Sequence, residues 1–121
     1  MLSVGVDIIE VDRIERSLER LGSRFLDRIF TKQEQAYCGG RADRLAARFA
    51  VKEAVSKALG TGIGDVGWKE IEIVHDERGR PELVLHDIAT ALAEEKGLHQ
   101  WSISMSHTDK HAVGMAVGLG I

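Results

Sequence analysis

The sequence predicts an α+β fold: a small antiparallel sheet packed with one long helix and several short ones. Three observations carry this. Apolar residues alternate with period two near both ends of the chain, at residues 2–9, 101–107 and 111–119. The centre, residues 12–59, shows helical spacing instead. The later strands are joined by short turns, which make hairpins and not helical crossovers.

The elements follow in order. Leu2, Val4, Val6 and Ile8 alternate with Ser3, Gly5 and Asp7, so residues 2–9 read as a strand. Asp12 is placed to cap a helix over 12–21, with Ile14, Leu18 and Leu21 on one face and Gly22 as its stop. Phe25, Leu26, Ile29 and Phe30 predict a second short helix. Thr31-Lys32-Gln33-Glu34 has the spacing of a capping box and opens a third, running to about Cys38 before Gly39-Gly40. The Ala-rich stretch 41–59 is the longest helix, ending at Gly60. Residues 60–67 hold four glycines and read as a loop. Residues 71–74 and 82–85 are strands around the turn Asp76–Pro81. Asp87 is expected to cap a helix over 88–96, stopped by Gly97, and the strands at 101–107 and 111–119 form a final hairpin.

Composition narrows the function. At 121 residues, 44% hydrophobic and 29% charged, the chain is expected to be one globular domain spanning 1–121. A single cysteine, Cys38, excludes an internal disulfide framework and fits a reducing compartment. No apolar run approaches a membrane span, and the acidic N-terminus does not resemble a signal peptide, so a cytoplasmic location is expected and no membrane partner. The net charge of −3 is uneven: residues 13–57 carry 11 Lys and Arg against 6 Asp and Glu. A basic patch in an acidic protein suits a local anionic partner, although a solvated helical surface explains it too. Long nucleic acid is not expected, because its binders are basic overall.

Several residues stand out chemically. Asp7 shares a strand face with Ser3 and Gly5, where small neighbours leave room for a ligand, or where the carboxylate caps the following turn. Glu53 shares a helix side with Ala42, Ala46, Phe49 and Ala50. A carboxylate among small apolar residues needs compensation, from Lys57 one turn on or from a bound cation. Arg48, Lys52 and Ser56 form a stripe that can reach phosphates or face solvent. Gly60-Thr61-Gly62-Ile63-Gly64 closes a helix where a P-loop would open one, yet such a turn can bring backbone N–H groups to an anion. His107 ends a strand on the face of Trp101, Ile103 and Met105. No nucleophile elbow and no zinc spacing is present.

Together these residues are more specific than any one of them. Val4-Gly5-Val6-Asp7 with Arg13, Phe30-Thr31 with Glu34 and Tyr37, the run Arg48-Phe49-Ala50-Val51-Lys52-Glu53-Ala54-Val55-Ser56-Lys57-Ala58-Leu59-Gly60-Thr61-Gly62-Ile63-Gly64, and Ser104-Met105-Ser106-His107-Thr108 resemble the holo-[acyl-carrier-protein] synthases, the short 4'-phosphopantetheinyl transferases. The resemblance covers essentially the whole chain. It implies transfer of the 4'-phosphopantetheine arm of coenzyme A to a serine of apo acyl carrier protein, with release of adenosine 3',5'-bisphosphate, in support of fatty acid biosynthesis. It implies Mg2+ held by Asp7 and Glu53, catalysis by Glu53, Lys57 and Asp7, and coenzyme A contacts from Arg48, Lys57, Gly60, Thr61, Gly62 and His107. Magnesium's preference for carboxylate and phosphate oxygens agrees with that donor set. The resemblance further implies carrier docking on Arg13, Arg24, Phe25 and Arg28. Arg20 joins them by charge, with Phe25 as an apolar anchor. It also implies a homotrimer. The small face of Ala112, Gly114, Ala116 and Gly118 suits the hairpin partner, a helix or another subunit, and the sequence does not choose. Two other classes compete: a non-catalytic anion- or protein-binding module, in which Glu53 is a solvated surface residue, and another magnesium-dependent nucleotide enzyme that needs no carrier.

Overall fold

Strand β1 (Leu2–Glu10) runs directly into helix α1 (Val11–Leu21), followed by α2 (Ser23–Ile29), α3 (Lys32–Cys38) and the long α4 (Ala42–Ala58). A 3-10 turn at Trp68–Glu70 leads into β2 (Ile71–His75) and β3 (Pro81–Leu85). Helix α5 (Asp87–Glu95) and strands β4 (Gln100–His107) and β5 (His111–Leu119) complete the order. The structure is a computed structural model and describes residues 1–120. The α+β class and antiparallel pairing are as expected, but the strands divide into a three-stranded sheet, β1-β5-β4, and a two-stranded one, β2-β3.

Local chemistry explains most boundaries. The Thr31 hydroxyl accepts from Glu34 N (3.2 Å) and Glu34 Oε1 accepts from Thr31 N (2.8 Å), the reciprocal pair expected at α3. Gly22 stops α1 with φ 54°, a conformation costly for residues with a Cβ. Two predicted caps are absent. Helix α1 begins one residue before Asp12, and Asp12 instead pairs with Arg16 at 3.4 Å within the first turn. Asp87 is the first residue of α5 and not its cap; Glu70 Oε1 caps that helix from outside by accepting from Ala89 N (3.0 Å).

Helix α4 lies against the inner face of the three-stranded sheet. Nearly all of it from Leu45 to Ala58 is buried, so it is a central helix and not an amphipathic surface one. The packing depends on glycine: a Cβ at Gly5 would overlap the Ala54 carbonyl, and one at Gly114 would lie 2.5 Å from Ala50 C. The small face of β5 is therefore filled within the chain, by α4 at Gly114 and by the Trp101 ring at Gly118. The alternation of β1 points the other way. Leu2, Val4, Val6 and Ile8 stand on the outer sheet face, 56% to 69% exposed, beside Val113, Met115, Val117 and Leu119 of β5.

Candidate active site

The close helix–sheet packing brings three candidate side chains to one place. Asp7 is on the inner face of β1, opposite Gly114 in register, where no side chain intrudes. Glu53 and Lys57 are one turn apart on α4. Lys57 Nζ donates to Asp7 Oδ1 at 3.1 Å and to the Val6 carbonyl at 3.0 Å, joining helix to strand. Glu53 is half-buried. Burial, and then the charge of Asp7, push its carboxyl above the usual carboxylate range, while Lys57 and Arg13 oppose that rise. The expected semi-buried Glu53 is therefore present, and a solvated surface residue is not what the fold makes of it.

Two carboxylates that repel, answered by one half-exposed ammonium, form a hard-oxygen donor pair suited to a divalent cation completed by phosphate oxygens. No cluster of three or more His, Cys, Asp or Glu occurs among the described residues.

Beside this trio lies a groove of about 420 Å³, lined by Arg13, Ser17, Arg24, Phe25, Arg28, Phe49 and Trp68 among others. Arg13 connects the two regions, its guanidinium 5.9 Å from the Phe49 ring centroid and its charge acting on Glu53. Arg13, Arg24 and Arg28 thus line one groove. Phe25 is 7% exposed: its ring packs edge-on against Phe30 and forms part of the groove lining. Arg20 is exposed on α1 and does not line the groove.

Other predicted contacts sit elsewhere. Arg48 is five residues before Glu53, roughly 140° around the helix, and is 8% exposed against Tyr37 and His75. His107 is on β4, separated from β1 by β5, which at ordinary strand spacing is about 10 Å; its Nδ1 is 3.9 Å from Asp43. Gly60 N and Thr61 N donate to Lys57 O (3.0 Å) and Ser56 O (3.1 Å), so these N–H groups finish α4 and are not open to an anion. Gly62 follows in the same loop, exposed.

The largest departure is Lys52. Neither reading of its stripe, reaching phosphates or facing solvent, holds for it: the side chain is fully buried. Nζ donates to Glu34 Oε1 (2.9 Å), Trp68 O (3.0 Å) and Ile71 O (2.6 Å), and Glu34 Oε2 accepts from Ile73 N (2.9 Å). Burial pushes the Lys52 ammonium below its usual range against the pull of Glu34. Ser56 likewise turns inward, its hydroxyl donating to Glu53 O at 2.7 Å. The sequence marked Glu34 as a capping residue and as part of the family resemblance; that it would be the ion-pair partner of Lys52 had no signal in spacing.

A sequence profile of the 4'-phosphopantetheinyl transferase superfamily matches residues 3–116. This chain belongs to that superfamily. Within it, the relatives are holo-[acyl-carrier-protein] synthases. The one from Moorella thermoacetica is 48% identical over 120 residues, covering 97% of this chain and 93% of that protein. The one from Herpetosiphon aurantiacus is 44% identical over 127 residues, covering 99% and 100%. Among solved structures, the holo-[acyl-carrier-protein] synthase of Neisseria meningitidis superposes with TM-score 0.87 at 36% identity, covering 97% of each chain. That of Helicobacter pylori, in complex with coenzyme A, gives TM-score 0.88 at 29% identity over 96% of this chain and 99% of that one. The family is thus an enzyme family, and a non-catalytic binding module is not the reading it supports.

Proposed function

We propose that this chain transfers 4'-phosphopantetheine from coenzyme A to a serine hydroxyl of an apo acyl carrier protein. The observation that carries the reading is the convergence of Asp7, Glu53 and Lys57 beside a basic groove. The serine oxygen forms a bond to the phosphorus bearing the pantetheine arm. The bond from that phosphorus to the bridging pyrophosphate oxygen breaks, and adenosine 3',5'-bisphosphate leaves with the electron pair. Reactions of this kind need in-line positioning and neutralisation of phosphate charge.

The residues divide that work. Asp7 and Glu53 would hold Mg2+, which supplies charge neutralisation at the pyrophosphate when bound. Lys57 adds a positive charge at the leaving phosphate, and its bond to Val6 O holds it at the strand. One carboxylate of the pair, Glu53 or Asp7, takes up the serine proton. The groove lined by Arg13, Arg24 and Arg28 receives the acidic carrier, with Phe25, Phe49 and Trp68 beneath for apolar contact. Arg20 widens the positive field.

The assembly we propose is a homotrimer. The outer sheet face presents Leu2, Val4, Val6 and Ile8 beside Met115 and Leu119, a contiguous apolar surface of the kind monomers rarely expose. Arg48, His107 and the Gly60–Gly62 turn lie apart from the Asp7–Glu53–Lys57 trio within one copy, and the proposal has them meet the nucleotide from a neighbouring copy. A role in fatty acid biosynthesis, in the cytoplasm, belongs to the same proposal; no helix among the described residues is long and apolar enough to cross a membrane.

The test is intact mass. Incubation with coenzyme A, Mg2+ and an apo carrier protein should add one phosphopantetheine to the carrier. An unchanged carrier mass overturns the proposal, and nucleotide turnover without the carrier would favour a different magnesium-dependent nucleotide enzyme.

A further inference from the structure

Tyr37 of α3 and His75 at the end of β2 stack face to face, ring centroids 3.6 Å apart and planes 7° from parallel. Arg48 of α4 closes the cluster. Its guanidinium lies 5.0 Å from the Tyr37 centroid, and its Nη2 is 2.9 Å from His75 Nε2. Its Nη1 donates to Arg44 O at 3.2 Å. A guanidinium has donors only, so the ring nitrogen facing it accepts. His75 is therefore neutral, with its proton on Nδ1. The cluster is separate from Asp7, Glu53 and Lys57, caps no helix and contributes nothing to the apolar core; what it does is fix one arginine.

We infer that His75 is a positioning residue for Arg48, and that protonating His75 weakens binding of the bisphosphate end of coenzyme A. The inference rests on the reading of Arg48 as a nucleotide contact. A proton on Nε2 removes the acceptor and sets a second cation against the guanidinium, so Arg48 loses the partner that orients it. The groups facing His75 are Tyr37 from α3, Arg48 from α4 and Asp76, next in the chain after β2; Pro81, its register partner on β3, is uncharged. Burial and the charge of Arg48 hold the imidazole below its usual range, with Asp76 opposing. The neutral ring therefore persists through neutral pH and is lost in acid.

Calorimetry with adenosine 3',5'-bisphosphate at pH 7.5 and pH 5.0 tests this on wild type, His75→Phe and Arg48→Met. Phenylalanine keeps the stack on Tyr37 but neither accepts nor protonates. Because the ligand phosphates also titrate, the quantity read is the ratio of the two proteins' affinities at each pH. His75→Phe should bind roughly fivefold more weakly at pH 7.5, the worth of one hydrogen bond, and that deficit should shrink or reverse at pH 5.0, where protonated His75 of the wild type loses its acceptor and repels Arg48. An equal ratio at both pH values overturns the inference. Wild-type affinity in Arg48→Met would instead remove the nucleotide reading of Arg48. A weak Arg48→Met beside an unaltered His75→Phe would defeat the role of His75 alone. Should His75→Phe not fold, imidazole 15N shifts of the wild type decide. An unprotonated Nε2 at pH 7.5, with affinity falling as His75 titrates, supports the inference; a protonated Nε2, or affinity constant through that titration, overturns it.

Discussion

Replacing Lys52 by methionine should be among the most damaging single changes to stability. The side chain is fully buried, and its ammonium joins Glu34 of α3, the carbonyl of Trp68 in the 3-10 turn and the carbonyl of Ile71 in β2. Methionine fills similar volume but leaves the Glu34 carboxylate buried without its cation. Breaking one side of a buried pair costs about 3–5 kcal/mol, and two carbonyls losing a donor put the total at the upper end. For a domain of this size, about 5 kcal/mol lowers Tm by roughly 20 °C. The assay is thermal unfolding by circular dichroism. The companion variant Lys52→Met with Glu34→Gln removes both charges and should regain at least half of the loss. A fall of less than about 3 °C, or a raised KM for coenzyme A with Tm intact, would refute the structural assignment and return Lys52 to the phosphate stripe.

Other consequences follow from the same geometry. Glu53→Gln should raise Tm of the metal-free protein at pH 7.5 and leave it unchanged at pH 4. The raised carboxyl is protonated in acid, and only above its folded pKa does the native state carry a charge that burial and Asp7 disfavour; an equal gain at both pH values would contradict this. Gly114→Ala should cost about 2–3 kcal/mol in denaturant unfolding, since the new Cβ meets Ala50 C at 2.5 Å and Val51 Cα at 2.8 Å; a neutral result would mean that α4 is not seated on β5 as described. Arg24→Ala should raise KM for the carrier several-fold, more so at low salt, with coenzyme A affinity unchanged. A change confined to coenzyme A affinity would place the carrier elsewhere.

Much of the fold was legible because local signals were strong. Alternation found β1, β4 and β5, the capping box at Thr31 and Glu34 was realised as spaced, and Gly22 and Gly60 marked helix ends. That Asp7, Glu53 and Lys57 share a site was implied by the resemblance, and the apolar neighbours of Glu53 indicated its partial burial; that Lys57 bonds to Asp7 and not to Glu53 one turn away was not legible. What spacing did not carry was direction and partnership. The period of β1 says nothing about which face meets α4, and the packing put the small residues Ser3 and Gly5 inside with the large ones out. Lys52 lies on a helix buried nearly all round, so a polar stripe there meets α3 and β2 in place of solvent. The stack of Tyr37 on His75 joins residues from two elements far apart in the chain, and Glu70 caps α5 from the 3-10 turn before β2, across β2 and β3. Such contacts are set by tertiary packing, which no local pattern encodes.

The central claim is that a strand aspartate and two helix residues one turn apart carry out the transfer. Time-resolved intact mass of an apo carrier protein, with coenzyme A and Mg2+, tests it on the wild type and on Glu53→Gln. The wild type should convert the carrier to the phosphopantetheinylated form, and the variant should do so at least about 100-fold more slowly while remaining folded. Conversion by Glu53→Gln at the wild-type rate would contradict the account.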